Sequence, residues 1–516
     1  MKKPEDFLFQ LIKGMSSHEK RYFNLVSSVP GQKIPRKLIL LFNAMDKQLI
    51  YDEIAIKNKF ASDTYLEKKL SIAKLNLQNS LLKCLRNYHA FFNIDFRLRN
   101  FMADIEILFN KGHYDMCNKL IGRMKSIAAR HEKWNWQCEA IQYERNVIMA
   151  QAYIKTTHDY SIQLQEEELF LLKKTENFYI YRSIINQIGC LTISEGRRTK
   201  EREVLLQLFN HPLLSNEKQA LSVKAKIHYH YIKCYYFFNI VRDITSASVH
   251  ARIRLSLIKQ FLLETEEDSM LYLDGLYRCM LVDYECKDWD NFLPALQEIK
   301  VFLNKPVSGI SQSVARIAFG YAYSMELNMY QRTGKFNEAV ILTTEIEKGI
   351  KRYALYLNEE HYSVFYFGIA YSYFGAGHYR NALKWINKLI NESDIAMRPD
   401  INCMARIINL IVHYELGNEE LLQSLVKSTY IFLHKHKRLY KFEDVLLQFI
   451  RKKLASVIDH RELMDAFREL HTELKRVSED PFENKQMEEF DLISWLESKI
   501  ENRPFAEVVK AKASRK

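Results

Sequence analysis

Glycine and proline are scarce in this chain. It has 15 glycines and 9 prolines among 516 residues, below ordinary usage. Helix-breaking punctuation is therefore rare and helices are expected to be long. Few stretches alternate apolar and polar residues with period two, and turn-rich clusters between short strands are missing, which argues against sheet. Long apolar runs are also missing. Leu38–Phe42 stops at Asn43 and Cys234–Phe238 at Asn239, far short of a membrane span. The start, with Pro4, Glu5 and Asp6 close behind two lysines, does not read as a signal peptide. The eight cysteines are scattered without any C-x-x-C pair, as expected of buried thiols in a reducing cytoplasm. The chemistry-bearing motifs are absent too. There is no H-E-x-x-H, G-x-S-x-G or G-x-G-x-x-G. Gly334-Lys335 lacks the earlier glycine and the following Ser/Thr of a phosphate loop. His228 and His230, like His434 and His436, stand two apart and point in different directions on a helix, so neither pair suits one metal ion. Neither an enzyme nor a cofactor-binding or metal-binding protein is expected.

What is present is apolar and aromatic material, 47% and 13% of the chain, ample for a large core. The clearest stretch runs from His361 to Leu389. Tyr366, Ala370 and Tyr373 share a helix face. Gly377 follows as a left-handed helix stop, and Tyr379, Ala382, Ile386 and Leu389 carry the buried face of a second helix. Ala382 is small enough for the two helices to lie close together. Similar turns follow or precede it at about 40–47 residues. They are Lys111-Gly112-His113 with Cys117 in the small-residue place, His158-Asp159-Tyr160, a polar segment around Gly196, and Arg242-Asp243-Ile244 with Ala247. Lys287-Asp288-Trp289 with Phe292, Gly334 with Ala339, and Gly417 with Leu422 complete the series. Phe292 is too bulky for close helix approach on this pattern. Pro306, Pro399 and Pro481 mark connecting loops.

The expected fold is all-α: an α-solenoid of antiparallel helix hairpins behind an N-terminal helical module. Residues 1–92 form that module, 93–439 the solenoid, and 440–516 C-terminal capping helices with a basic tail that frays from Arg503. In the module, Ser16 and Glu19 fit a capping box, Asp52 caps a short helix, and Leu66, Leu70, Ala73, Leu77, Leu81 and Leu85 line a long one. The aromatic–small–aromatic and Gly-x-aromatic-x-x-Ala pattern around Gly377 resembles a tetratricopeptide repeat. That family implies a scaffold for peptides or proteins rather than a catalyst. The string Ser17-His18-Glu19-Lys20-Arg21-Tyr22-Phe23, with LLFNAMDKQ and the leucine-rich helix, resembles the start of uncharacterised helical-repeat proteins of Bacteroidota. The resemblance spans about ninety residues and implies a bacterial cytosolic protein.

Two functions are expected. Aligning the hairpins on their turns puts Tyr229, Tyr236, Asn239, Tyr277, Tyr321, Asn328, Arg332, Phe367 and Tyr371 on the concave side of the first helices. Tyrosine and arginine there suit a groove for a protein or peptide partner. The alternative is nucleic-acid binding. The first hundred residues hold 18 lysines and arginines against 9 acidic residues, most of the net +12. Lys68, Lys83 and Arg86, with Lys69 on the flank, fall on the polar side of the long helix, and a short helix precedes it as in a helix-turn-helix. No membrane partner is expected.

Overall fold

The computed structural model describes residues 6–27, 34–61, 69–89, 93–153, 157–194, 199–261, 266–304, 312–354, 357–392, 398–436, 439–453, 460–480, 483, 484, 487 and 489–514. Gly196, Pro306, Pro481, Leu66 and Lys68 lie outside them. Among the described residues every regular element is a helix and none is a strand. The chain falls into two compact units, Met1–Val314 and Ala315–Lys516.

The first unit opens with α1 (Phe7–Gly14), α2 (Ser17–Val26), α3 (Arg36–Lys47), α4 (Glu53–Lys59) and α5 (Leu70–His89). They enclose Phe23, Leu41, Phe42, Met45, Leu77 and Leu81. The Ser16–Glu19 capping box is formed in both directions, and Asp52 accepts the Ala55 N–H. Lys74 is held by Asp6 and Glu53 at 2.7 and 3.0 Å. Next come α6 (Ile94–Asn110), α7 (Tyr114–Arg130), α8 (Trp134–Ala150), α9 (His158–Ser194) and α10 (Thr199–Phe209). Then α11 (Val223–Tyr235) continues as a π-helix over Tyr236–Val241, followed by α12 (Ile244–Phe261), α13 (Glu266–Cys286) and α14 (Trp289–Asn304).

The boundary between the units falls in the first turn of α15 (Gln312–Arg332). The second unit continues with α16 (Phe336–Arg352), α17 (Glu359–Gly375), α18 (Tyr379–Glu392), α19 (Pro399–Glu415) and α20 (Glu419–Lys435). It ends with α21 (Lys441–Gln448), α22 (His460–Val477), α23 (Leu492–Ile500) and α24 (Phe505–Ser514). Within each unit successive helices pack on one another: α6 to α9 and α11 to α14 in the first, α16 to α20 and α21 to α24 in the second. This is an all-α, solenoid-like arrangement.

One backbone device closes nearly every hairpin. The residue after a helix takes a left-handed conformation, and the next N–H bonds back to the carbonyl five residues earlier, as in a Schellman motif. The bonds run from His113 to Leu108, Lys335 to Tyr330, His378 to Tyr373 and Asn418 to His413, at 2.8–3.0 Å. Gly112, Gly334, Gly377 and Gly417 supply the left-handed residue there, with φ of 70–77°. Arg242 and Lys287 do the same at φ 63° and 56°, although an L side chain is strained in that region. Two reversals escape a search for glycine. Glu132 (φ 49°) separates α7 from α8, and Ala152 and Tyr153 (φ 53° and 60°) separate α8 from α9. The turn expected at His158-Asp159-Tyr160 is instead the start of α9, a helix of 37 residues.

The small-residue positions behind the turns are all buried, Cys117, Ala247, Ala339, Ala382 and Leu422 included. Phe292 is buried as well, its ring set edge-on to Trp289. The tail expected to fray from Arg503 forms α24. Phe505, Val508 and Val509 recur at helical spacing and are buried, and Lys512 pairs with Glu497 at 2.6 Å. Phe505 joins Phe336, Tyr371, Phe374 and Phe490 in one aromatic cluster. Phe336 lies so close to Gly375 that a Cβ built there would stand 2.1 Å from its ring.

Candidate functional site

On α12, Ala247, Ala251 and Ile258 mark the buried stripe, and Arg254 occupies the next place on it. A guanidinium is thereby driven into a helix interface, 3% exposed. It meets the Asp274 carboxylate of α13 at 2.7 Å and lies 5.1 Å from the centre of the Tyr231 ring on α11. Arg278, one turn beyond Asp274, lies 4.9 Å from the same ring centre and donates from Nη2 to the Tyr231 hydroxyl at 2.9 Å. Its Nε is 3.6 Å from Asp274 Oδ1. Tyr231 is thus flanked by two guanidiniums, each in cation–π range.

Burial works to raise the Asp274 carboxyl, but the charges of Arg254 and then Arg278 outweigh it and hold the group below its ordinary range. His228, one turn before Tyr231, is stacked on Phe178 at 5.1 Å. Burial first, then the charges of Arg254, Arg182 and Lys224, push its pKa down to about 4, so the ring is neutral at pH 7. Among the described contacts, Arg254 and Arg278 share the one carboxylate of Asp274. Arg254 Nη1 reaches the Asp274 carboxylate, while Nε finds no hydrogen-bond acceptor among the described residues. An unpaired buried donor is costly, and a bound oxyanion is a group that fits it.

Further polar groups surround this centre. His230 and His250 meet through their Nδ1 atoms at 2.9 Å, so one ring donates and the other accepts. Glu217 lies 3.5 Å from His230 Nε2, and Phe237 stacks on His250. Burial, then the neighbouring His230, lowers the His250 pKa to about 4. On the other side of α12, Arg252 pairs with the buried Asp283 at 2.6 Å; burial still raises that carboxyl to about 6. Among the described residues no three His, Cys, Asp or Glu side chains converge as a metal-ligand set. The arrangement suits recognition of an anion: a bidentate-capable guanidinium pair around a tyrosine.

The residues singled out from the sequence are placed unevenly. In the first unit Tyr229 is buried against Tyr181. Tyr236 is half-buried on Phe209, Asn239 bonds the Tyr235 carbonyl, and Tyr277, half-buried, directly precedes Arg278. In the second unit Asn328 is exposed, Tyr321 and Arg332 are half-buried, and Phe367 and Tyr371 are buried. The Tyr371 hydroxyl accepts the Asp491 N–H at 3.4 Å, within the aromatic cluster. Of the basic set, Lys69, Lys83 and Arg86 are exposed, and Lys68 is not described. Tyr231, Arg254, Asp274 and Arg278 were not anticipated. Arg254 left a readable signal, a charge on the 247–251–258 apolar stripe. Asp274 and Arg278 left none, because their meaning depends on what α12 and α11 present to them. No protein-family model matches the chain, and no curated protein matches it.

Proposed function

We propose that this chain is a non-enzymatic scaffold of tetratricopeptide-like hairpins that binds a protein segment on the face of its first helices. In this reading the Tyr231–Arg254–Arg278 cluster selects a segment bearing a carboxylate or phosphate. The observation that carries it is Arg254, an almost wholly buried guanidinium whose Nε donor has no acceptor among the described residues, beside a second guanidinium on the same tyrosine. Tyr236 and Tyr277 supply neighbouring aromatic area. In the same reading the protein works in a bacterial cytosol, which the resemblance of its first ninety residues to Bacteroidota proteins supports.

The test is capture of partners from native cell extract on the full-length protein, followed by titration of the identified segment and of its neutralised version. Arg278→Ala is the informative variant, since its side chain is about a quarter exposed and its loss spares the core. It is expected to weaken binding at least tenfold, about the 1.4 kcal/mol or more of an interface anchor. Equal binding of acidic and neutralised segments would overturn the reading. Exposure of Lys69, just before α5, and of Lys83 and Arg86 on it favours a second reading, duplex binding by the N-terminal module. Reversing these charges should then lower the salt slope of binding by about 0.9 per lost phosphate contact.

A further inference from the structure

Helix α9 is apolar on two faces. Leu164 and Leu171 are buried with Trp134 and Ile141 of α8. On another face Ile162, Leu169, Leu172 and Tyr179 are 41%, 51%, 51% and 49% exposed. Their spacing of seven, three and seven keeps them on one stripe, about 25 Å long at 1.5 Å per residue. Phe170 lies off this stripe, with Lys174 over its ring at 4.5 Å.

The stripe is symmetric about the point between Phe170 and Leu171. A two-fold axis there would lay a second α9 antiparallel, with Leu169 opposite the other copy's Leu172 and Ile162 opposite its Tyr179. The two polar positions within the stripe, Gln165 and Glu176, would also meet each other. Flanking the stripe on one side stand Glu166 and Lys173, both exposed. In the antiparallel arrangement each lies on the same flank as the opposite charge of the other copy, offset by two residues, about 3 Å along the axis, within reach of long side chains. A parallel arrangement would instead put this flank opposite the other flank of the second copy, away from these charges.

We propose that this face docks a second copy of the same chain, forming a two-fold dimer through antiparallel α9 helices. Apolar spacing and placement of polar residues repeat under the one operation, as an isologous interface requires, and it brings the opposite flanking charges within reach of each other. One helix per copy covers less than the roughly 1,200 Å² of a standard interface, so association is expected in the micromolar range.

Sedimentation of the full-length protein across micromolar concentrations tests this. A monomer–dimer equilibrium that weakens with salt is expected. Leu169→Glu should raise the dissociation constant at least tenfold with the melting temperature unchanged, because the side chain is exposed. Glu166→Lys and Lys173→Glu should each weaken the dimer several-fold, and the double exchange should restore it, an outcome no unrelated partner or other surface would give. A parent that stays monomeric at 100-fold above the micromolar range, a dimer indifferent to Leu169→Glu, or a double exchange weaker than both single ones would each overturn the proposal.

Discussion

Between α11, α12 and α13 the buried side chains include Arg254, Asp283 and His230, with Asp274 half-buried beside them. Among α16, α17 and α24 they are Phe336, Tyr371, Phe374 and Phe505, with Phe490 just before α23. Both places are interfaces between helices of successive hairpins. The aromatic one gains from area alone, and each large ring removed from water stabilises by about 1.5–3 kcal/mol. The ionic one gains little: desolvation of buried charges roughly offsets their attraction, and apolar replacements of similar shape are often more stable. The difference separates the two roles. Stability explains the aromatic cluster fully and leaves the arginine cluster unexplained, which is why binding is assigned to the latter.

The largest expected effect breaks the aromatic side. Phe505→Ala should cost about 3–5 kcal/mol through lost area and a cavity. Hydrogen exchange should quicken in α22–α24; unchanged protection there would mean the cluster does not hold these helices. The same size of change in the ionic cluster should depend on which partner is removed. Asp274→Ala, discounted because the carboxylate is about a quarter exposed, should cost roughly 1–3 kcal/mol by leaving two guanidiniums facing each other. Arg254→Met should be neutral or stabilising in thermal melts while abolishing segment binding. A strongly destabilised Arg254→Met would make the cluster structural after all.

Acid sharpens the contrast by an intermediate amount. His228 and His250 have folded pKa values of about 4, below the unfolded value. The unfolded chain therefore takes protons that the folded one refuses, and stability falls as pH drops from 7 toward 4, by roughly 1–2 kcal/mol per histidine at pH 5. Asp283, raised to about 6, works the other way, since its folded form gains a proton first. Two histidines against one aspartate leave a net loss, removed in large part by His228→Phe. Denaturant midpoints at pH 7 and 5 measure it. The smallest effect concerns the turns. Lys287→Gly and Arg242→Gly should each gain up to about 1 kcal/mol, whereas Gly377→Val should lose about 1–2, purely from backbone strain because no atom crowds that glycine. Opposite signs in matched melts are the check.

The helices, their apolar faces and the glycine turns were legible because each depends on spacing within one segment. The reversals at Glu132 and Ala152–Tyr153 were not, since tertiary packing holds ordinary residues in a glycine's conformation. Glu132 shows how: its carboxylate accepts the Val223 and Lys224 N–H groups at 3.0 and 2.8 Å, capping a helix some ninety residues away. Helix α24 was hidden by its lysines, which mask a three-residue apolar stripe. At the site, Tyr277 fell beside Arg278 by face alignment, but a cluster of three helices cannot be seen from any one of them.

The π-helical stretch Tyr236–Val241 bears on how the chain can tolerate change in length. Its closing bond runs from Asp243 to Phe237, six residues back, one more than at the other turns. A surplus residue is thus stored there instead of being passed down the chain. Deleting one residue from this stretch should convert it to ordinary α-helix and leave Arg254 facing Tyr231. The same deletion inside α12 would rotate every following side chain by about 100° and carry the guanidinium out of the cluster. The stretch is in effect an insertion point, a place near the cluster where the chain's length can vary without moving its charges.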